Sequence, residues 1–199
     1  MLVVDDGNDA EYLALFQELA EMKGCTVLTH TENRGKGAGL KTGFRYFLTH
    51  LSELSGIVTA DADNQHLIQD VLNVGDHLPD RQAGVILGSR NFRQKNVPVR
   101  SFIGNTFTSA LIKVLFGRYI PDTQTGLRGI VTEEIPGLIK LSGDRFDYEM
   151  TMLIQLIKQK KEIILVEIET VYEEQHISYY DTYADSMRIA KHILRGIFY

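Results

Sequence analysis

Two carboxylates and an amide recur at alternate positions in Asp61-Ala62-Asp63-Asn64-Gln65-His66, directly after the apolar stretch Gly56-Ile57-Val58-Thr59-Ala60. Residues i, i+2 and i+4 of an extended segment point the same way, so Asp61, Asp63 and Gln65 can aim three oxygens at one point. Hard divalent cations take oxygen ligands, and Mg²⁺ completes its shell with water and substrate phosphates. The pattern suits a diphosphate-bearing substrate. The competing reading is a solvated turn, because Asp and Asn are common after strands.

Four further clusters carry chemistry-bearing residues. Asn33-Arg34-Gly35-Lys36-Gly37-Ala38-Gly39 offers backbone N–H groups at a helix start with a lysine beside them, which can hold an anion. Its spacing is not that of a Walker A loop, and a plain Gly-rich turn would look similar. Gly88-Ser89-Arg90 is followed by Arg93, Lys95 and Arg100; arginine's planar fork suits phosphate, although a charge run is usually a solvated face. Asp122-Thr123-Gln124-Thr125-Gly126-Leu127-Arg128 is a polar loop running into a strand. Arg145-Phe146-Asp147-Tyr148-Glu149 reads also as a helix N-terminus with acids in its first turn.

The elements that must position these groups alternate between strand and helix. Met1 to Val4 is a short strand ending on Asp5-Asp6-Gly7-Asn8. Residues 9–23 show helical periodicity, with Tyr12, Leu13, Phe16, Leu19 and Ala20 on one side and Gly24 as the stop. A strand over 25–28, a helix over 40–50, a strand over 56–60, a helix near 67–77 and a strand over 83–87 follow. This βαβαβ rhythm predicts an α/β fold with a mostly parallel sheet flanked by helices. Ligands in such folds sit at the carboxyl ends of strands, where both Asp5-Asp6 and residues 61–65 fall. A helix over 101–116, a strand near 127–131, a helix over 147–160, a strand over 163–168, a polar and aromatic loop over 173–180 and a helix over 183–199 complete the pattern.

Composition narrows the class. With 199 residues, 44% hydrophobic and 24% charged, the chain is of ordinary globular type and holds one large domain or a domain plus a tail. A net charge of −5 argues against a dedicated nucleic-acid binder. A single cysteine, Cys25, excludes an internal disulfide and suits a reducing compartment. No window reaches the ~20 apolar residues needed to cross a bilayer, and no basic-then-apolar leader is visible. The expected location is cytoplasmic, soluble or attached to a membrane from its cytoplasmic face.

Taken in order, Val-Val-Asp-Asp-Gly, Asn-Arg-Gly-Lys-Gly, Asp-Ala-Asp-Asn-Gln-His, Gly-Ser-Arg, Asp-Thr-Gln-Thr-Gly-Leu-Arg and Phe-Asp-Tyr-Glu resemble the family-2 glycosyltransferases of GT-A fold. The nearest branch is similar to the dolichyl- or polyprenyl-phosphate sugar transferases, over roughly residues 2–185. The resemblance implies a Rossmann-like GT-A domain over 1–182 and a C-terminal helix over 183–199. It implies inverting transfer of a sugar from a GDP- or UDP-sugar to a polyprenyl phosphate. Asp5, Asp6, Gly35, Lys36 and Asp61 would bind the nucleotide sugar. Asp61, Asp63 and Gln65 would hold Mg²⁺ or Mn²⁺, with Asp61, Asp63 and Arg90 catalytic. Arg90, Arg100, Asp122 and Glu149 would serve the acceptor or its phosphate. A lipid phosphate is already anionic and needs no general base, whereas a sugar hydroxyl would need one, with Asp122 or Glu149 the candidates.

Two departures accompany the resemblance. The family usually opens with a strand ending in a Pro-x-x-Asn-Glu-like sequence, and this chain begins at what would be the second strand. Asn8 also stands where the motif usually has Ser. Without the first strand the sheet would carry unpaired edges, which could drive homo-oligomerisation. The alternatives are a glycosyltransferase acting on a saccharide hydroxyl, a sugar nucleotidyltransferase (whose N-terminal Gly-rich loop is not visible), and an inactive binding module. The apolar helix over 101–116 and the C-terminal helix suggest peripheral membrane contact.

Overall fold

The computed structural model describes residues 1–79, 83–92 and 99–169. The helix expected over 183–199 and the loop over 173–180 lie outside the described residues. β1 (Leu2–Asp5) and β2 (Thr26–Thr29) pair in parallel as a two-stranded sheet. β3 (Gly56–Thr59), β4 (Ala83–Arg90), β5 (Arg128–Val131) and β6 (Glu162–Ile168) form a second sheet in the order β3-β5-β4-β6. β5 runs antiparallel to β3 and β4, while β4 and β6 are parallel, so the arrangement is mostly parallel with one reversed strand.

Helices cover both faces of the larger sheet. Alternate residues of a strand face opposite sides, and β4 and β5 divide accordingly. Val85, Leu87 and Ile130 join Phe44, Phe47, Ile112, Tyr148 and Leu153 in one buried cluster. Ile86 and Val131 join Val74, Leu78, Leu127 and Ile168 in the other. The first cluster is built by α2 (Lys36–His50), α4 (Val99–Phe116), the short α5 (Ile135–Leu138) and α6 (Asp147–Lys158). The second is closed by α3 (Ile68–Gly75). Tyr148, fully buried, donates its hydroxyl to the Leu138 carbonyl at 2.8 Å, and burial pushes its phenol pKa up.

The smaller sheet is less enclosed. A 3-10 turn (Ala10–Tyr12) leads into α1 (Leu13–Glu21), which buries no residue completely. Phe16 and Leu19 are half-buried, whereas Leu13 is 58% exposed. Of the apolar face predicted for residues 9–23, only Phe16 and Leu19 are partly covered, while Tyr12, Leu13 and Ala20 stay exposed. β1 packs on α2, where Gly39 and Gly43 face Leu2 and Val4. β1 and β3 are not joined in one ladder.

The boundaries differ from expectation in three places. α2 begins at Lys36, four residues earlier than its apolar periodicity indicates, because the Gly-rich motif continues as helix. β4 runs on to Arg90, paired along its length with β6. α5 has too few residues for a periodic signal.

Leu87 lies on an interior strand with no exposed surface. Leu87→Ala should lower stability by about 2–5 kcal/mol in urea unfolding followed by circular dichroism. Ile68→Ala, at a side chain 80% exposed, should stay within about 0.5 kcal/mol of the parent.

Candidate active site

The loops that follow β1, β3 and β4 carry the acidic and basic motifs, and each is fixed from inside. Asp5 is buried and accepts from the Asn8 backbone N–H at 3.0 Å and its side-chain amide at 2.7 Å. The Asn that departs from the family pattern therefore closes the turn itself. Asp6 accepts from the Arg34 and Gly35 N–H groups at 3.1 and 2.6 Å. His30 Nδ1 lies 2.6 Å from the same carboxylate, and Nε2 lies 2.9 Å from the Thr42 hydroxyl. A carboxylate accepts only, so Nδ1 carries a proton toward Asp6. Both aspartates expected to hold nucleoside thus also hold the loops around it.

Gly35 sets the start of α2. Its φ of 99° is open to glycine and strained for other residues, and it turns the chain so that Lys36 points at the end of β3. Lys36 Nζ lies 2.7 Å from Asp61 Oδ1 and 2.7 Å from Glu149 Oε2. Its side chain is 21% exposed, that of Asp61 32% and that of Glu149 10%. Burial alone would depress the lysine pKa, but Glu149 and Asp61 outweigh it and hold the ammonium above its ordinary value. Burial alone would likewise raise the Asp61 carboxyl, and the Lys36 charge holds it below the usual range. Lys41 makes a second tie from α2, donating to Gly143 O at 2.7 Å and to Asp144 Oδ1 at 2.8 Å.

Residues 61–65 form a turn, not the extended array that alternate spacing suggests. Asn64 is left-handed at φ 62°, and Asp63 Oδ1 accepts the Gln65 N–H at 3.2 Å. Among the described residues no three His, Cys, Asp or Glu side chains converge as a ready metal cage. The donor chemistry still fits a hard cation: two carboxylates and an amide share one turn, and the Asp61 end already accepts a positive group. A shell completed by phosphate oxygens and water requires no more from the protein. Gly126 packs on Asp61 so closely that a Cβ there would collide with the carboxylate. His66, beside this turn, has a buried Nδ1 without a hydrogen-bond partner. Burial lowers its pKa despite the opposing charges of Asp61 and Asp63, favouring the neutral ring.

Arg90 ends β4 and forms a two-pronged pair with Asp122, through Nε to Oδ2 at 2.7 Å and a terminal nitrogen to Oδ1 at 2.9 Å. Asp122 is wholly buried and also accepts the Arg90 backbone N–H. Thr123 is held by Asn105 Oδ1 and Thr108 Oγ1 of α4. Arg128, 2% exposed, donates to Thr125 O at 2.9 Å and Glu149 O at 2.7 Å, with Nε 3.8 Å from Glu149 Oε1. An alternating row results: Asp61, Lys36, Glu149, Arg128.

Beside this row lies a cleft of about 590 Å³ lined by Asp6, Asn8, Tyr12, Lys36, Arg145 and Phe146, among others. The fold thus gathers Asp6, Gly35 and Lys36 at the cleft, with Asp61 and Glu149 one ion pair away. Arg90 and Asp122 form a separate pair. Arg100 lies in α4, and its side chain is outside the described residues. Arg128, Arg145 and Phe146 were named from sequence only within their clusters, with no role in the site. Arg128 and Phe146 lie in motifs whose order carries the family resemblance, Arg145 directly precedes one of them, and Arg128 is an arginine on an otherwise apolar strand.

Comparison with known proteins adds the following. Residues 1–130 match the family described as glycosyl transferase family 2. An uncharacterized protein of Methanocaldococcus jannaschii is 31% identical over 182 residues, covering 89% of this chain and 72% of that protein. The UDP-N-acetylglucosamine–dolichyl-phosphate N-acetylglucosaminyltransferase of Methanococcus voltae is 28% identical over 191 residues, covering 87% of this chain and 75% of its own length. Among solved structures, glucosyl-3-phosphoglycerate synthase from Mycobacterium tuberculosis, in complex with Mn²⁺, UDP and glucosyl-3-phosphoglycerate, superposes with a TM-score of 0.69 at 16% identity. That match spans 99% of this chain and 68% of the synthase chain.

The Lys36–Asp61 pair has a defined pH signature. A depressed carboxylate pKa adds stability that is present above the unfolded value and lost as pH falls through the folded one. A raised lysine pKa adds stability that is present below its unfolded value and lost as pH rises through the folded one. The pair should therefore contribute evenly across neutral pH and fade below about pH 4 and above about pH 10. In urea unfolding, Asp61→Asn should cost about 1 kcal/mol at pH 7, a modest figure because the carboxylate is one-third exposed. The difference from the parent should shrink by pH 3; a difference constant across this range would contradict the pairing.

Proposed function

This chain belongs to glycosyl transferase family 2 and is a transferase of GT-A fold, and on that premise we propose that it moves a sugar from a nucleoside-diphosphate sugar to the phosphate of a polyprenyl lipid. The observation that carries this reading is the state of the two candidate bases. Asp122 is buried and bound by Arg90, and Glu149 is paired with Lys36. A saccharide hydroxyl would need one of them to take its proton. A lipid phosphate arrives as an anion and requires only positioning and charge compensation. The dolichyl-phosphate transferase from Methanococcus voltae supports the same acceptor class.

The donor nucleotide occupies the cleft beside Asp6, Gly35 and Lys36, whose volume suits a nucleotide-sized ligand. Asp5 and Asp6 keep its loops in place. Asp61, Asp63 and Gln65 would hold Mg²⁺ or Mn²⁺, which when bound supplies neutralisation of the leaving diphosphate. A phosphate oxygen of the acceptor forms the new bond to the anomeric carbon, with inversion, as the bond to the donor diphosphate breaks. Arg90, held by Asp122, and Arg100 compensate acceptor or donor phosphate charge. The proposed setting is the cytoplasmic face of a membrane. No helix among the described residues is long and apolar enough to cross one. Ile103 and Phe107 of α4, each 61% exposed, and Val114, 80% exposed, give a face able to rest against lipid.

Titration of UDP- and GDP-sugars with and without Mn²⁺ tests the donor site. One nucleotide should bind in a metal-dependent manner, and Asp63→Ala should abolish that binding without altering the circular-dichroism spectrum. Binding indifferent to both metal and Asp63 would refute the metal assignment. On vesicles containing polyprenyl phosphate, the chain should float with the lipid, and Phe107→Asp should reduce the floating fraction. A chain that stays wholly in the soluble layer would count against lipid contact.

A further inference from the structure

Lys36 occupies the position from which a cation would approach Asp61. Its ammonium lies 2.7 and 3.0 Å from the two oxygens of that carboxylate. It lines the cleft, so the same side chain faces both the metal turn and the nucleotide space. Lysine's charge is a compact point on a flexible four-carbon stem, which can turn between partners without moving the backbone. Glu149, 2.7 Å from the ammonium on its other side, tethers it when Asp61 is taken. Glu149 is itself backed by the buried Arg128, so it is a fixed anchor.

We propose that Lys36 is a resident counterion for Asp61, displaced from that carboxylate when the divalent cation binds and then turned, from its Glu149 tether, toward the donor diphosphate. The inference rests on the metal-dependent transfer proposed above and adds an order to it. The ammonium contacts both oxygens of Asp61, so a divalent cation arriving there competes with it for lone pairs and repels it at short range. Metal arrival therefore favours lysine release. Each half favours the other: the metal frees a cation for the phosphate, and the phosphate stabilises both. Without the cation the lysine keeps the partly buried Asp61 from standing unpaired, a condition that is costly.

The measurement is Mn²⁺ binding to the nucleotide-free chain by electron paramagnetic resonance, followed by UDP and GDP binding by calorimetry with Mn²⁺ present. Lys36→Met removes the competing charge and keeps much of the stem's bulk. Its Mn²⁺ affinity should rise about tenfold, the effect of one modest charge pair, while affinity for the nucleoside diphosphate falls. Lys36→Arg keeps a cation and should leave Mn²⁺ affinity close to the parent's. Unchanged or weaker Mn²⁺ binding by folded Lys36→Met would overturn the displacement, leaving the metal site itself intact. Absence of Mn²⁺ binding in both parent and variant would overturn the displacement together with the metal reading beneath it. A check independent of any variant is acetylation of Lys36 in the parent chain, read by mass spectrometry. Mn²⁺ without nucleotide should increase it as the ammonium leaves Asp61, and unchanged or reduced labelling would refute the proposal.

Discussion

The ammonium of Lys36, held between Asp61 and Glu149, joins three elements that have no backbone ladder in common. α2 brings it, the end of β3 supplies Asp61, and the first turn of α6 supplies Glu149. Because β1-β2 and β3-β5-β4-β6 are separate sheets, side chains from α2 must do what strand pairing does elsewhere. Lys41 does it a second time, reaching Gly143 and Asp144 ahead of α6. Such partly buried pairs add little net stability, since desolvation offsets much of the attraction. Their stronger effect is to penalise any arrangement that separates the partners, and so they set where the cleft opens.

The same economy runs through the acidic motifs. Asp5, Asp6 and Asp122 have the residue type of ligand groups, yet each spends its oxygens on the chain: an Asn8 turn, the 34–35 backbone and the Arg90 fork. A carboxylate that accepts two backbone N–H groups fixes a loop more firmly than solvent would. The walls of the cleft are thus set before a ligand arrives, which lowers the ordering cost of binding. The turn over residues 61–65 is built differently, around one left-handed Asn64 and the shared Asp61.

Much of this was legible from residue order. Alternation of apolar runs with helical periods located the six strands among the described residues and the longer helices, because β4, β5 and α6 are buried enough for their pattern to be continuous. The reversal of β5 was not legible: a four-residue strand carries no signal of its direction, and only the partners on β3 and β4 decide it. The extended reading of residues 61–65 failed because alternation in sequence does not fix φ, and Asn tolerates the left-handed region. Lys36 and Glu149 were both visible as charged motif residues. Their contact was not, since it joins residues more than a hundred positions apart.

Charge accounting explains why that contact matters for the chemistry. The row Asp61, Lys36, Glu149, Arg128 alternates in sign and is neutral as it stands. The adjoining cleft sets Asp6, Asp9 and Glu11 against Lys36 and Arg145, so its own charge does not favour an anion. A diphosphate brings further negative charge to a cleft whose carboxylates already outnumber its cations. Lys36 alone cannot supply the compensation, since turning fully to the phosphate would strip Asp61 of its counterion. A divalent cation held by Asp61 would meet both demands, covering the carboxylate and leaving the lysine to the phosphate. The neutral row and the metal-dependent donor site of the proposed reaction would then be two settings of one electrostatic arrangement.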